Sequence, residues 1–159
     1  MMDRPDYLFF SPLLNRFQSL KTGNASRTCT LDVLLEDIRS SVENILNTRV
    51  PILWEYFLSS PSTRLDDSLL NYGMIDYCNV TEEDASREER FKKSVKRALY
   101  RHEPRITVDS ISVRLNKSAA TRTINIEING GLNVAPRRPV KFLAGLKGTN
   151  QKIDVKRTT

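Results

Sequence analysis

Histidine and cysteine are scarce in this chain, and each scarcity removes a class of chemistry. The 159 residues include one histidine, His102, so a Ser-His-Asp or Cys-His mechanism has a single base available. That base falls in the last turn of an amphipathic pattern, where an imidazole simply suits the negative end of a helix. Cys29 and Cys78 stand far apart, with no second cysteine beside either, so neither a disulfide framework nor a metal knuckle is indicated. Reduced thiols in cytosol fit that usage. No apolar run approaches the ~20 residues of a membrane span. A secretory leader is not expected, because Asp3 and Asp6 flank Arg4 and the short apolar run that follows contains Pro12 and lacks a small-residue cleavage site. A glycine-rich loop followed by Lys and Ser or Thr is missing too, which leaves phosphate cradling unsupported.

What remains is a globular composition, 39% hydrophobic and 28% charged, in a length that suits one domain with an extra arm. The charge is unevenly placed: residues 1–80 hold 7 Lys/Arg against 10 Asp/Glu, and residues 81–159 hold 18 against 9. A basic second half predicts a negatively charged partner, whether nucleic acid, membrane surface or acidic protein.

Hydrophobic periodicity gives the order of elements. Residues 1–29 read as an arm and linker: Ser11-Pro12 can start a short helix through Leu13, Leu14 and Phe17, and residues 21–27 are a polar run. Residues 30–159 read as a single α+β domain with a basic C-terminal end. Thr30 can cap a helix whose stripe is Leu31, Leu34, Leu35, Ile38, Val42, Ile45 and Leu46, ending near Asn47-Thr48 because Pro51 disfavours helical geometry at Val50. Residues 52–58 are almost wholly apolar and predict a buried turn, residues 65–70 a further helical turn closed by Asn71-Tyr72-Gly73. Thr81-Glu82-Glu83-Asp84 resembles a capping box that starts a second long helix reaching His102. Strand-like alternation follows over Ile106 and Val108, then Ile111, Val113 and Leu115 after a one-residue slip at Asp109-Ser110, as in a bulged strand. Ile124, Ile126 and Ile128 alternate up to Gly130-Gly131; Val140, Phe142, Ala144 and Leu146 alternate next. Ile153 and Val155 come last, as an edge strand guarded by Lys152, Lys156 and Arg157 or as a tail. The expected fold is α+β, with N-terminal helices packed on a small C-terminal antiparallel sheet of three to four strands.

The candidate site is the switch between helix and strand. The helix stripe Phe91, Val95, Ala98, Leu99 and His102 runs into Glu103-Pro104-Arg105, where the proline ring removes an N–H and pushes Glu103 out of helical geometry. Glu103 and Arg105, two apart in extended chain, would share a face and present opposite charges together. An internal ion pair that fastens the corner competes with partner docking. Catalysis by Glu103 is disfavoured, since a general acid needs an apolar setting and Arg97, Arg101 and Arg105 surround this one. Glu127 stands on the polar face of its strand. The basic helix face could hold phosphates, but few aromatics interleave with it, so nucleic-acid binding is a minor reading.

Leu46-Asn47-Thr48-Arg49 at a helix end, Asn71-Tyr72-Gly73 mid-chain and Glu103-Pro104-Arg105 between a basic helix and a strand, in that order, resemble the phage baseplate wedge and sheath-initiator family. Its bacterial relative is TssE of type VI secretion systems. The resemblance extends from about Leu31 to Leu146. It implies a non-enzymatic structural subunit without a cofactor, at the cytoplasmic side of the inner-membrane-associated baseplate and not inserted in the membrane. Implied partners are the wedge subunits TssF and TssG and the sheath subunits TssB and TssC. By the same resemblance Glu103, Pro104 and Arg105 form the docking motif, Asn47, Arg49, Tyr72 and Gly73 accompany it, and the strands from Ile106 onward template the sheath. Lysozyme-like labels attached to the family find no support in these carboxylates. A second relative, an anti-adaptor that shields a response regulator, shares the His102-Glu103-Pro104-Arg105 type of corner and implies a free protein-binding module instead.

Overall fold

The computed structural model describes residues 9–21, 27–50, 71–74, 85–118, 121–133, 138–147 and 152–158. Residues 22–26, 52–58, 65–70 and 81–84 and Cys78, all read above, lie outside the described residues. The chain divides into two compact units, Met1–Ser40 and Ser41–Thr159.

In the first unit β1 (Phe9–Phe10) pairs antiparallel with β2 (Thr28–Cys29), and α1 (Leu13–Lys21) lies between them in the chain. The two-strand ribbon is closed further by the Ser11 amide, which donates to the Arg27 carbonyl at 2.9 Å. Sequence periodicity could not show it, because two residues are too short to alternate. Helix α2 (Leu31–Asn47), whose chain passes from the first unit into the second at Ser41, begins as its cap requires, with the Leu34 amide donating to the Thr30 carbonyl. Leu34, Ile38, Val42, Ile45 and Leu46 are its buried residues, at the steps of three and four that the sequence shows.

In the second unit α3 (Ala85–His102) buries Phe91, Val95, Ala98 and Leu99 and keeps Lys93, Lys96 and Tyr100 exposed. Four strands follow: β3 (Ile106–Ser118), β4 (Thr121–Leu132), β5 (Pro139–Lys147) and β6 (Ile153–Thr158), in a sheet of order β3-β4-β5-β6 with every pair antiparallel. The fold therefore mixes helices with antiparallel sheets and has a four-stranded sheet at its C-terminal end. One placement differs from the expectation of N-terminal helices, because α3 sits in the middle of the chain and runs straight into the sheet.

The register explains the slip at Asp109-Ser110. Ile106 pairs with Leu132 and Val108 with Gly130, then the register shifts between Val108 and Ser110, and Ile111 pairs with Ile128. Asp109 is the extra residue of a bulge. By inserting it, the chain keeps Ile106, Val108 and Ile111 on the face that also buries Ile126, Ile128 and Leu132. Gly130-Gly131 does not end β4 but lies within it, opposite the bulge. A Cβ on Gly130 would stand 2.3 Å from the Thr107 carbonyl oxygen, so the close approach of the bulged strand requires glycine there.

Val140, Phe142 and Ala144 of β5 and Ile153 and Val155 of β6 complete the buried face. The opposite face is polar. Lys141 pairs with Glu127 at 2.7 Å, and Asn129 donates to Ser110 and Glu127 across β3 and β4. The segment read as edge strand or tail is an edge strand, with buried Ile153 and Val155 alternating with exposed Asp154 and Lys156.

Candidate docking corner

Helix α3 closes with the Glu103 amide donating to the Leu99 carbonyl, and the next donor, Ile106 N–H, turns back to the Glu103 carbonyl at 3.2 Å. Residues 103–106 thus form a tight turn with Pro104 at its second position, where the fixed φ of proline fits. The extended geometry expected for this corner is replaced by a turn, and its consequence for the charges is large. Glu103 is turned inward and only 1% exposed, whereas Arg105 keeps 35% of its side chain in solvent and Pro104 is exposed.

The pair is bidentate. Arg105 Nε donates to Glu103 Oε1 and Nη2 to Oε2, both at 2.6 Å, so the two planar groups face each other in the fork geometry that fixes a guanidinium most firmly. The turn is also tied to the first residue after β4, since Asn133 donates its amide to the Arg105 carbonyl at 2.7 Å. The corner is rigid for these reasons, and it presents a guanidinium rather than a pair of opposite charges.

The other motif residues converge on the same end of α3. The Asn71–Met74 segment bridges the two long helices. On one side His102 Nε2 donates to the Asn71 carbonyl at 3.2 Å, and the His102 and Tyr72 rings meet at a tilt of 58° with centroids 4.9 Å apart. On the other side Met74 N–H donates to the Thr48 carbonyl and Val50 N–H to the Met74 carbonyl, each at 3.0 Å, around a parallel bridge between Arg49 and Met74. Gly73 has φ 106°, in the left-handed half of the map, and what demands it is proximity to Thr48 as much as any helix cap. Arg49 caps the end of α2 by donating to the Leu46 carbonyl at 2.8 Å. A small cleft between α3 and this segment is lined by Val50, Asn71, Gly73, Ser94, Arg97 and Arg101.

Asn47 has an internal task. Its amide nitrogen donates to the Glu43 and Ile153 carbonyls at 2.9 and 2.8 Å, while its oxygen accepts the Ile153 amide at 2.8 Å. Glu43, one turn earlier, accepts the Val155 amide at 3.5 Å. Together they cover the outer side of β6 at Ile153 and Val155, as a fifth strand would. Sequence reasoning missed Glu43, whose only signal is its place four residues before Asn47. Asn47→Ala is expected to lower stability by about 2 kcal/mol, because it leaves both backbone groups of Ile153 without their partner. Urea unfolding gives the cost, and an unchanged midpoint would show that water replaces the amide freely.

Burial first, and the Glu103 carboxylate second, push the Tyr72 phenol above its ordinary value. A value raised in the folded chain means a contribution that is whole below the unfolded phenol value, about 10, and is lost as pH rises through the folded one. Stability should therefore fall in the alkaline range, and Tyr72→Phe should reduce that fall. Melting curves of both proteins above about pH 10 check this, and identical slopes would refute it.

Among the described residues no group of three or more His, Cys, Asp or Glu side chains could hold a metal ion, and no helix is long and apolar enough to cross a membrane. The arrangement offers surface chemistry: a fixed guanidinium beside a proline turn, with a half-buried tyrosine near it. No curated protein and no solved structure matches the chain. The family model described as baseplate wedge protein gp25 matches residues 32–137, a span that holds all three motifs. Membership of that family means a structural baseplate role in company with other baseplate subunits. With the match covering more than half of its length, this chain belongs to the baseplate wedge protein gp25 family, which also includes TssE.

Proposed function

We propose that this protein is a structural, non-enzymatic baseplate subunit of a contractile type VI secretion system, docking through its corner on the wedge core bundle of TssF and TssG. It works on the cytoplasmic side of the inner-membrane-associated baseplate. The observation that carries the reading is the corner itself: an exposed Pro104 turn with Arg105 held by a buried Glu103. A guanidinium already fixed by one carboxylate loses little freedom when a partner grips it, so the contact is pre-organised. In this reading Glu103 acts on the partner through Arg105. Gly73 and Asn47 act by shaping the bridge and the sheet margin, and Tyr72 and Arg49 flank the contact. Both oxygens of Glu103 are engaged by Arg105, which suits a structural task better than catalysis.

The same reading has the sheet nucleate the TssB and TssC sheath by strand addition. Of the two marginal strands, β6 is covered at Ile153 and Val155 by Asn47 and Glu43, whereas β3, 13 residues long, pairs with β4 alone among the described strands. We assign strand addition to β3.

Arg105→Lys tests the docking step, because it keeps the charge that Glu103 needs but removes the fork. Co-expressed with TssF and TssG, the variant should lose at least about tenfold of the co-purifying complex, while its own melting stays within about 1 kcal/mol of the parent protein. Full co-purification would reject Arg105 as the contact.

A further inference from the structure

Helix α3 buries one side and leaves a basic sector on the other. At about 100° per residue, the buried Phe91, Val95, Ala98 and Leu99 fill one side, and Lys93, Lys96 and Tyr100 lie together opposite them. All three are exposed, and Tyr100 has 81% of its surface in solvent. The half-buried Arg97 and Arg101 border this sector where the cleft against Asn71 and Gly73 begins.

The charge of the sector is not offset nearby in the chain. From Arg90 to His102 stand six cations and no carboxylate. The next carboxylate, Glu103, is buried and held by Arg105, so it gives the surface no negative charge. The whole unit Ser41–Thr159 holds 20 Lys/Arg against 14 Asp/Glu, which is the chain's entire excess, whereas Met1–Ser40 holds 5 of each.

A solvated basic helix face needs no tyrosine at its middle. Tyrosine combines an apolar ring with a polar tip, and it is enriched where protein interfaces bury their centres. Its place also counts: Tyr100 stands four residues before the exposed Pro104, so the sector leads into the docking corner. A bilayer fits this sector poorly, because Tyr100 is the one large exposed apolar side chain among the described residues of α3. Single-stranded nucleic acid fits poorly for the same reason, since bases stack on successive aromatics.

We propose that Lys93, Lys96 and Tyr100 hold an acidic segment of the wedge subunit that grips the corner. Tyr100 packs on the apolar side of that segment, and the two lysines face its carboxylates. The inference rests on the docking reading and extends that contact along α3.

Association of the full-length protein with the purified TssF–TssG complex, followed in time at several salt concentrations, tests it. Lys93→Gln with Lys96→Gln should slow association several-fold and flatten its dependence on salt, because charges at the edge of a contact steer the encounter. Tyr100→Ala should speed dissociation at least about tenfold, and Tyr100→Phe, which keeps the ring, should stay close to the parent. Each variant should melt as the parent does, since all three side chains are exposed. Parent-like kinetics in the lysine variant or in Tyr100→Ala would overturn the proposal. If Arg105→Lys weakens the complex and these variants do not, the docking reading stands and its extension along α3 falls. If the α3 variants weaken the complex and Arg105→Lys does not, the acidic segment sits on α3 and the corner reading falls. A salt-steep affinity for duplex DNA that the lysine variant loses, at unchanged binding of TssF–TssG, would overturn the proposal and assign the sector to nucleic acid.

Discussion

Arg105→Ala should lower the unfolding free energy by about 3 kcal/mol, one of the two largest effects expected of any single substitution discussed for this protein. The reason is the asymmetry of the corner pair. Glu103 is 1% exposed, and without the guanidinium its carboxylate stays buried and uncompensated. Breaking a buried pair from one side costs about 3 to 5 kcal/mol, and the lower end applies because Arg105 is itself 35% exposed. Glu103→Ala should cost less, about 2 kcal/mol, since the arginine left behind can swing into water and leaves a cavity rather than a charge. The double substitution should cost clearly less than the two single ones added together, and that cycle measured in urea isolates the coupling. Two variants of equal stability to the parent would mean that the pair fastens nothing. The same numbers bear on docking experiments: an alanine at either position perturbs the fold as well as the surface, and only the conservative Arg105→Lys separates the two.

Gly73→Ala should cost about 3 kcal/mol through a different mechanism. A φ of 106° puts a side chain in a region that costs an L-residue about 1 to 2 kcal/mol. The new Cβ would also stand 2.4 Å from the Thr48 carbonyl oxygen and 2.8 Å from its carbon, both backbone atoms that cannot turn aside. Relief requires the Asn71–Met74 segment to move away from the end of α2. That movement breaks the Met74-to-Thr48 and Val50-to-Met74 hydrogen bonds, each worth about 1 kcal/mol. Hydrogen exchange should report it directly, with protection lost at the Val50 and Met74 amides. Gly145→Ala is the control. Its Cβ would meet only Asn125 Oδ1 at 3.7 Å, within a strand, so its stability should stay within about 1 kcal/mol of the parent. Equal effects at Gly73 and Gly145 would refute the account.

These two sites also show where local reading stops. The stripes of α2 and α3, the stop at Pro104, the bulge after Val108 and the alternation of β4, β5 and β6 all stand in the sequence as periods of 3.6 or 2 and as their interruptions. Each depends on neighbours within a few residues. The corner was legible as a place, but the sequence left an internal pair and an exposed one as competing readings. Which member of the pair faces inward was not legible. An extended Glu103-Pro104-Arg105 would have shown both charges on one face, whereas the turn closed by Ile106 and Asn133 folds the carboxylate under the guanidinium. Asn47 shows the same limit, because a polar residue in the last turn of a helix looks like a surface group until a strand arrives beside it.

The sequence by itself determined the order of the two long helices and the four strands of the C-terminal sheet, the faces they bury, the proline corner as a place and, through three short motifs in order, the family. Tertiary structure alone decided which polar side chains are engaged inside the molecule: Asn47 meets Ile153 from 106 residues away and His102 meets the Asn71 carbonyl from 31. The physical reason is range. Periodicity and capping arise from interactions between near neighbours along the chain, whereas hydrogen bonds across such separations exist only after the helices and strands have come together.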